Sequence, residues 1–309
     1  MQPEKLFDLS RLKHTKSLFW LAVICVVVAI ALVPLWIFDS RELLGVSVWE
    51  KPIKFYISVA IFSFTYSWLS SFLTRGGRWV RLTGLVIAVS LAVEIVIILA
   101  MASIGTTSHF NVSTPTAIAI WSIMATFISI VLFSTIFISL MILFQKQQDF
   151  NLKLALALGS VNTAVGMGLA YLMTWPTANQ LANYQGIAGA HAVGVSDGGP
   201  GLPFLGWSTV AGDLRVGHFF GLHSIQVAAI LLAVTLVLPL VLRVPLLIVG
   251  NFTWLGFVGL VTWQSLRAEP FSSPSQLTLT GFGVLLAVAA MSFTILVMFG
   301  SRTTSKPLI

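Results

Sequence analysis

The chain has 309 residues, of which 57% are hydrophobic and 9% are charged, whereas an ordinary soluble domain has about 25% charged residues. This composition excludes an ordinary water-soluble fold. The net charge of +7 indicates basic loops of a membrane protein rather than a nucleic-acid-binding surface. Cys25 is the single cysteine, which excludes an intramolecular disulfide and a cysteine metal cluster.

The apolar residues are grouped in blocks of about twenty or more, long enough to cross a hydrocarbon core about 30 Å thick. We therefore predict an all-α fold, a polytopic transmembrane bundle of about eight helices, as a single integral membrane domain over residues 1–309. The predicted spans are residues 18–38, 55–74, 82–103, 116–144, 152–175, 216–242, 246–266 and 276–300. The first block is too long for the apolar part of a signal peptide and is interpreted as a retained helix.

The basic residues predict the orientation, because Lys and Arg accumulate in cytoplasmic loops. With the N-terminus inside, twelve of the seventeen Lys and Arg residues are cytoplasmic. The five outside are Arg41, Lys51, Lys54, Arg215 and Arg267. The sequence therefore predicts that both termini are cytoplasmic.

Three segments on the predicted outer side are rich in polar or glycine residues: 49–55, 105–111 and 176–215. The third also contains apolar runs, such as 186–191 and 202–205. An apolar, glycine-rich segment of this length is expected to pack over the helix ends or to re-enter the membrane. We predict that residues 176–215 form an extracytoplasmic capping loop.

Histidines on the outer side suggest a first functional hypothesis, a redox protein that binds haem or another transition metal. Neutral imidazoles from separate elements can ligate such a metal, with an aspartate accepting a hydrogen bond from a ligand. The candidate ligands are His109, His191, His218 and His223, and the candidate acceptors are Asp197 and Asp213. On a regular helix His218 and His223 would be about 140° apart, which does not favour joint binding of one ion. Gly217 and Gly221 would suit a porphyrin face, but their spacing also predicts simple helix packing.

Glu94 supports a second hypothesis, a proton-coupled transporter or carrier. It is the carboxylate that lies deep in a predicted span, where insertion of the charged form costs about 2.5 to 3.5 kcal/mol. We expect it to face the interior and to take up a proton, with His223 or Gln226 at a similar depth. The alternative is a structural hydrogen bond to Ser160, Asn162 or Thr163.

A third hypothesis is a membrane-embedded enzyme that acts on an outer-leaflet lipid through His and Asp acid–base or metal chemistry. The G-x-S-x-G pattern at residues 194–198 is interpreted as accidental, since residues 197–201 are typical of a turn. Recognisable nucleotide-binding and zinc-protease motifs are absent from the sequence. The polar residues considered to support a site under these hypotheses are Glu94, Asn162, Asp197, Asp213, Arg215 and Gln226.

Three segments together resemble a group of bacterial multi-pass membrane proteins for which no activity is established. They are KPIKF at 51–55, GTTSHFN at 105–111 and GDLRVGHFFGLH at 212–223. The resemblance would cover most of the chain. It implies a bacterial cytoplasmic (inner) membrane and carries over no functional residue. The lipid bilayer as a partner, and no nucleic acid, are predicted from the composition and the loop charges.

Overall fold

The computed structural model describes residue 6, residues 8–146 and residues 149–304, with side chains as far as residue 298. The described chain is mostly helical. The terminal residues 1–5 and 305–309, which carry part of the charge used to predict the orientation, lie outside the described residues.

Eleven α-helices and two short antiparallel strand pairs make up the regular structure of the described residues, after a 3-10 turn at Leu9–Lys13. The helices are α1 Lys16–Phe38, α2 Glu50–Ser70, α3 Gly77–Ser103, α4 Pro115–Phe144, α5 Phe150–Gly168, α6 Tyr171–Thr174, α7 Ala178–Ala182, α8 Leu214–Leu222, α9 Ser224–Val237, α10 Leu240–Leu266 and α11 Gln276–Thr304. Strands β1 Glu42–Leu43 and β2 Val46–Ser47 form one pair, and β3 Ala192–Val193 and β4 Gly212–Asp213 form the other.

Six helical segments among the described residues are long and apolar enough to cross a membrane. The bent pair α8–α9 gives a seventh if it forms one span. The predicted class, a helical bundle with several membrane-crossing helices, is therefore confirmed. Helix α2, with 21 residues, is long enough but not apolar enough to be counted with them.

The helices pack as two groups that share one apolar core. Helices α1, α2 and α3 pack on one another, whereas α5, α8, α9 and α10 form the second group. Helix α4 packs between α3 and α5, and α11 packs on α10. Large side chains from both groups, including Tyr66, Ile87, Leu156 and Leu232, are fully buried in this core. The connections that carry the polar residues meet at one end of the bundle.

The prediction of one continuous helix over residues 216–242 is wrong. The helix breaks at His223, where α8 and α9 meet at a bend of 44°, and α9 ends at Val237. The ring of a proline clashes with the preceding residue and disfavours a helical conformation there. Leu238, which precedes Pro239, is accordingly extended. The next helix therefore begins at Leu240 and contains Pro245, at the point where the sequence predicted a loop.

Glycines bring α5 and α8 into backbone contact. A Cβ atom on Gly166 would lie 2.2 Å from the carbonyl carbon of Gly221. A Cβ atom on Gly217 would lie 2.0 Å from Oγ1 of Thr262, on the neighbouring helix α10. The interpretation of Gly217 and Gly221 as helix-packing residues is confirmed. Because protein atoms occupy the space in front of both glycines, a porphyrin face does not fit there.

Candidate functional site

The 104–114 connection and the 176–213 segment, both predicted to lie on the outer side, are joined by backbone hydrogen bonds. Val112 N donates to Gly186 O at 2.8 Å, and Ala188 N donates to Phe110 O at 2.9 Å. Trp207, from the segment predicted as a capping loop, is buried against the rings of Phe220 and Phe271. These contacts place the 104–114 connection and the 176–213 segment together over one end of the bundle.

Asp213 and Arg215 form a hydrogen-bonded pair in which each carboxylate oxygen has partners. Asp213 has no exposed surface, and its Oδ1 accepts from the Arg215 backbone N at 3.0 Å and from Nε at 2.9 Å. Its Oδ2 accepts from Ser208 N at 2.9 Å and from Arg215 Nη2 at 2.6 Å. A carboxylate bound in this way connects the loop to the start of α8 and has little capacity left for a ligand.

Asp197 holds His191 in a defined orientation. The His191 ring Nδ1 lies 2.7 Å from Asp197 Oδ2, and the backbone nitrogens of His191 and Ala192 donate to the same carboxylate at 2.8 to 3.1 Å. Burial would raise the pKa of Asp197, but the His191 ring and these backbone donors outweigh it and hold the pKa below its ordinary value. The carboxylate therefore stays charged beside the imidazole.

The neutral forms of His109 and His191 are favoured by burial and by a neighbouring lysine. Burial lowers the pKa of His109 well below its ordinary value, and the charges of Lys51 and His191 lower it further. Burial also lowers the pKa of His191, against the effect of its hydrogen bond to Asp197, while Arg215 and Lys51 lower it further. His109 and His191 thus belong to one electrostatic cluster with Lys51.

Lys51 lies in the first turn of α2, in a segment that the sequence predicted to be on the outer side without assigning it a role in a site. Its ammonium group interacts electrostatically with Arg215, Asp197, Lys54 and Glu94, and it lies 5.8 Å from the centre of the Phe55 ring. The ammonium makes no ion pair or hydrogen bond within the described part of the chain. Its position at the start of a helix next to Glu50 gave no indication of this central location.

Glu94 lies on α3 below this cluster and is only 5% exposed. Its Oε1 is buried and has no hydrogen-bond partner in the protein. The expected structural hydrogen bonds to Glu94 are not made: Asn162 donates to Asn251 O at 3.1 Å, and the hydroxyls of Ser160 and Thr163 donate to carbonyls of their own helix. The protein groups that interact with the carboxyl group are the backbone of Ile128 on α4 and, as its charged neighbour, Lys51.

His218 and His223 lie on opposite sides of the bend between α8 and α9. The Nδ1 of His218 donates to Gly166 O at 2.8 Å. The His223 ring packs on Phe219, with 4.6 Å between ring centres, and lies beside Gln226. The angle of about 140° expected between the two histidines assumed a regular helix and does not apply, because the helix breaks at His223.

The four candidate ligand histidines do not form a metal site together. Within the described residues, no group of three or more His, Cys, Asp or Glu side chains is placed to hold a metal ion. His109, His191 and His218 each have a ring nitrogen in a hydrogen bond to a neighbouring protein group. The geometry thus gives no support to the haem or metal hypothesis.

Other buried polar atoms without a protein partner continue from Glu94 toward the opposite end of the bundle. They include Ser63 Oγ on α2 and Gln145 Nε2 at the end of α4. Ser63 is thirteen residues after Glu50, which corresponds to about 20 Å along the helix axis. Buried polar groups of this kind are normally hydrogen-bonded by internal water.

The sequence and the fold were compared with known proteins. No family model matches the chain, and neither the curated proteins nor the solved structures show a significant match to it. The functional interpretation therefore depends on the geometry of the polar cluster.

Proposed function

We propose that the chain is a multi-pass protein of a bacterial inner membrane, with about eight spans and both termini in the cytoplasm. Helix α2 would be the eighth span. Its first turn carries Glu50, Lys51 and Lys54, which lowers its mean hydropathy, while its remaining residues are long enough for most of a bilayer crossing. The excess of Lys and Arg in the connections on the other side supports this orientation.

We further propose that the protein is a proton-coupled carrier, with Glu94 as the group that binds and releases the proton. The observation that carries this proposal is the buried Glu94 carboxylate, whose Oε1 has no partner in the protein. An ionisable group at this depth is costly and is typically retained for function. Lys51 is a charged neighbour of Glu94, so a ligand that alters the charge at Lys51 would also alter the protonation of Glu94.

Two further features favour a carrier over an enzyme confined to the outer leaflet. The unpartnered polar atoms continue past Glu94 to the inner end of α4, which a reaction at the outer surface does not require. The bent pair α8–α9 resembles the discontinuous helices that commonly form the substrate sites of carriers. The bend lies beside Gln226, which donates to Thr65 on α2 at 2.9 Å and so connects the two helix groups.

Proton flux into proteoliposomes tests this proposal. The full-length protein is reconstituted with a trapped pH-sensitive dye, and carboxylate and phosphate compounds, including phospholipids, are added outside under an inward proton gradient. We expect at least one compound to accelerate acidification of the lumen. The Glu94→Gln variant should lose this acceleration, because the amide is nearly isosteric but cannot take up a proton.

Glu42→Gln is the matched control, since Glu42 is an exposed glutamate on β1. It should transport like the wild type. Coupled flux that survives in Glu94→Gln would remove Glu94 from the mechanism. If neither protein responds to any compound, the carrier proposal is contradicted for these two chemical classes.

An enzyme that acts on an outer-leaflet lipid is a second candidate, favoured by the His191–Asp197 pair. A carboxylate that orients an imidazole is a common arrangement for general-base catalysis. In this case His191→Ala should change the membrane lipid profile of the producing cells while the protein remains folded. An unchanged profile would count against this candidate.

The redox proposal, with bound haem or a transition metal, has no comparable geometric observation in its favour. It is tested by the absorption spectrum and metal content of protein purified in mild detergent from replete cells. A Soret band or stoichiometric metal would support it, and a colourless, metal-free preparation would contradict it.

A further inference from the structure

The Lys51 ammonium is a cation whose potential acidic neighbours are already bound by other groups. Glu50 accepts from Lys54 at 2.8 Å, Asp213 is paired with Arg215, and Asp197 is hydrogen-bonded to His191. Glu94 influences Lys51 electrostatically but makes no ion pair with it. An enclosed cation without a paired anion is a favourable position for an anionic group of a ligand.

Helix α2 has four further residues on the same side as Lys51, and together they form a flank that runs along the bundle. At 100° per residue, Phe55, Ser58, Phe62 and Thr65 lie within about 40° of Lys51 around the helix axis. This flank extends over about 20 Å at 1.5 Å per residue. It therefore has a cation at its outer end and two aromatic rings along its length.

The flank lies next to α9, and the space between the two loosely packed helices α2 and α9 is called the groove. Helix α2 packs mainly on α1 and α3, whereas α9 packs on α5 and α10, and a hydrogen bond from Gln226 to Thr65 connects α2 with α9. Ser58, halfway along the flank, is exposed. The adjoining Ile57 and Ile61 are 40% and 41% exposed, so the groove is open on the side that would face lipid.

We propose that this groove binds an anionic phospholipid, with its phosphate at Lys51 and an acyl chain along the α2 flank. The location of the charge supports this occupant, because Lys51 is at the outer end of a proposed span, at the depth of lipid headgroups. Below it the groove adjoins the exposed Ile57 and Ile61, and Phe55 and Phe62 lie on the bordering flank of α2. A fully soluble anion would pair with the Lys51 ammonium but would make no contact with the apolar flank of α2.

This inference rests on the proposed function, since it uses the same orientation and names the substrate class of the carrier. Binding of the phosphate would neutralise Lys51 and remove the charge that favours ionised Glu94. Proton uptake by Glu94 would then accompany lipid binding. His109 and His191 lie in the same electrostatic cluster and could donate to the phosphate from ring nitrogens.

Photo-crosslinking tests the site directly. The full-length protein is reconstituted in phosphatidylcholine vesicles that contain a small fraction of phosphatidylglycerol with a diazirine in one acyl chain. After irradiation, mass spectrometry should locate label on residues 55–65 of α2. Lys51→Gln should reduce this labelling about tenfold, the loss expected for one charge-assisted contact.

Three controls make the result decisive. Lys51→Arg keeps the charge and should keep most of the labelling, which separates loss of charge from misfolding. Lys16→Gln removes an exposed lysine at the start of α1 and should label like the wild type. Unlabelled phosphatidylglycerol should compete, whereas soluble glycerol phosphate should not.

Labelling of α2 that is unchanged in Lys51→Gln would overturn the inference, and so would equal competition by soluble glycerol phosphate. The Glu94→Gln variant separates this inference from the carrier proposal. It should still be labelled but should show no coupled flux. If α2 is labelled but the proton flux does not depend on Glu94, the carrier proposal alone is contradicted. If α2 is not labelled but a soluble anion drives a flux that depends on Glu94, the lipid site alone is contradicted.

Discussion

Two polar regions at the same end of the molecule use similar residues in opposite ways. Around Asp213, each carboxylate oxygen accepts hydrogen bonds from Arg215 or from a loop nitrogen. Around Lys51 and Glu94, the ammonium has no paired anion within the described residues, and Glu94 Oε1 has no protein partner. The first region stabilises the capping segment, and the second retains the unused binding capacity expected of a functional site.

The comparison shows that burial of charge does not by itself identify function. Asp213 is more buried than Glu94, and both lie near a cation. The difference is whether the surrounding atoms complete the hydrogen bonds of the carboxylate. This difference leads to opposite expectations for stability when each carboxylate is replaced.

The largest loss of stability is expected for Asp213→Ala. It leaves the Arg215 guanidinium and Ser208 N without their acceptor, and removal of one partner of a buried ion pair costs about 3 to 5 kcal/mol. The thermal unfolding midpoint in detergent should fall markedly. Glu42→Ala, at an exposed acidic residue, should stay within about 0.5 kcal/mol of the wild type, and an equally small effect for Asp213→Ala would contradict the structural role.

Gly221→Ala is expected to be the next most damaging change. Its Cβ would lie 2.4 Å from Gly166 Cα, so α5 and α8 must separate, and overpacking of this kind costs about 1 to 3 kcal/mol. Gly168→Ala is the matched control, because nothing lies within 4 Å of a Cβ at that position. Thermal unfolding of the two variants should differ in sign, since alanine favours a helix over glycine by about 0.5 to 1 kcal/mol.

Acidification should weaken the packing of the 104–114 connection and the 176–213 segment on the helix ends. The pKa values of His109 and His191 are lowered from 6.5, first by burial, so the stability that they contribute is present above pH 6.5 and is lost as pH falls toward their folded-state pKa values. Asp197, whose pKa is also lowered, loses its contribution only at more acidic pH. Each unit of lowering corresponds to about 1.4 kcal/mol.

The unfolding midpoint should therefore be lower at pH 5.5 than at pH 7.5, and His109→Gln should reduce that difference. The charged and titratable groups around this histidine are Lys51 and His191. A pH dependence that is unchanged in His109→Gln would show that its burial contributes nothing to the attachment.

The smallest effect on stability is expected for Glu94→Gln. The amide has no charge to desolvate, and the replaced Oε1 has no protein partner, so the unfolding free energy should stay within about 1 kcal/mol of the wild type. Thermal unfolding beside Asp213→Ala measures the contrast between the two regions. A loss as large as that of Asp213→Ala would show that Glu94 is structural and would remove the distinction.

The sequence by itself determined the class of the protein, because blocks of about twenty apolar residues have one stable arrangement in a bilayer, the helix. It also indicated that Glu94 is unusual and that Gly217 and Gly221 contact another helix. It did not determine the break at His223 or the end of α9, since Leu238–Pro239 and Pro245 compete as helix-ending signals. The tertiary structure decided between them.

Only the tertiary structure decided which polar residues have partners. Asp197 and Asp213 have equal prominence in the sequence, yet the fold gives each a full set of backbone and side-chain donors. Lys51 and Glu94 are 43 residues apart in the chain, and helix packing brings them into one electrostatic cluster. Hydrogen bonding and charge pairing depend on distances between elements, and the order of residues along the chain does not contain those distances.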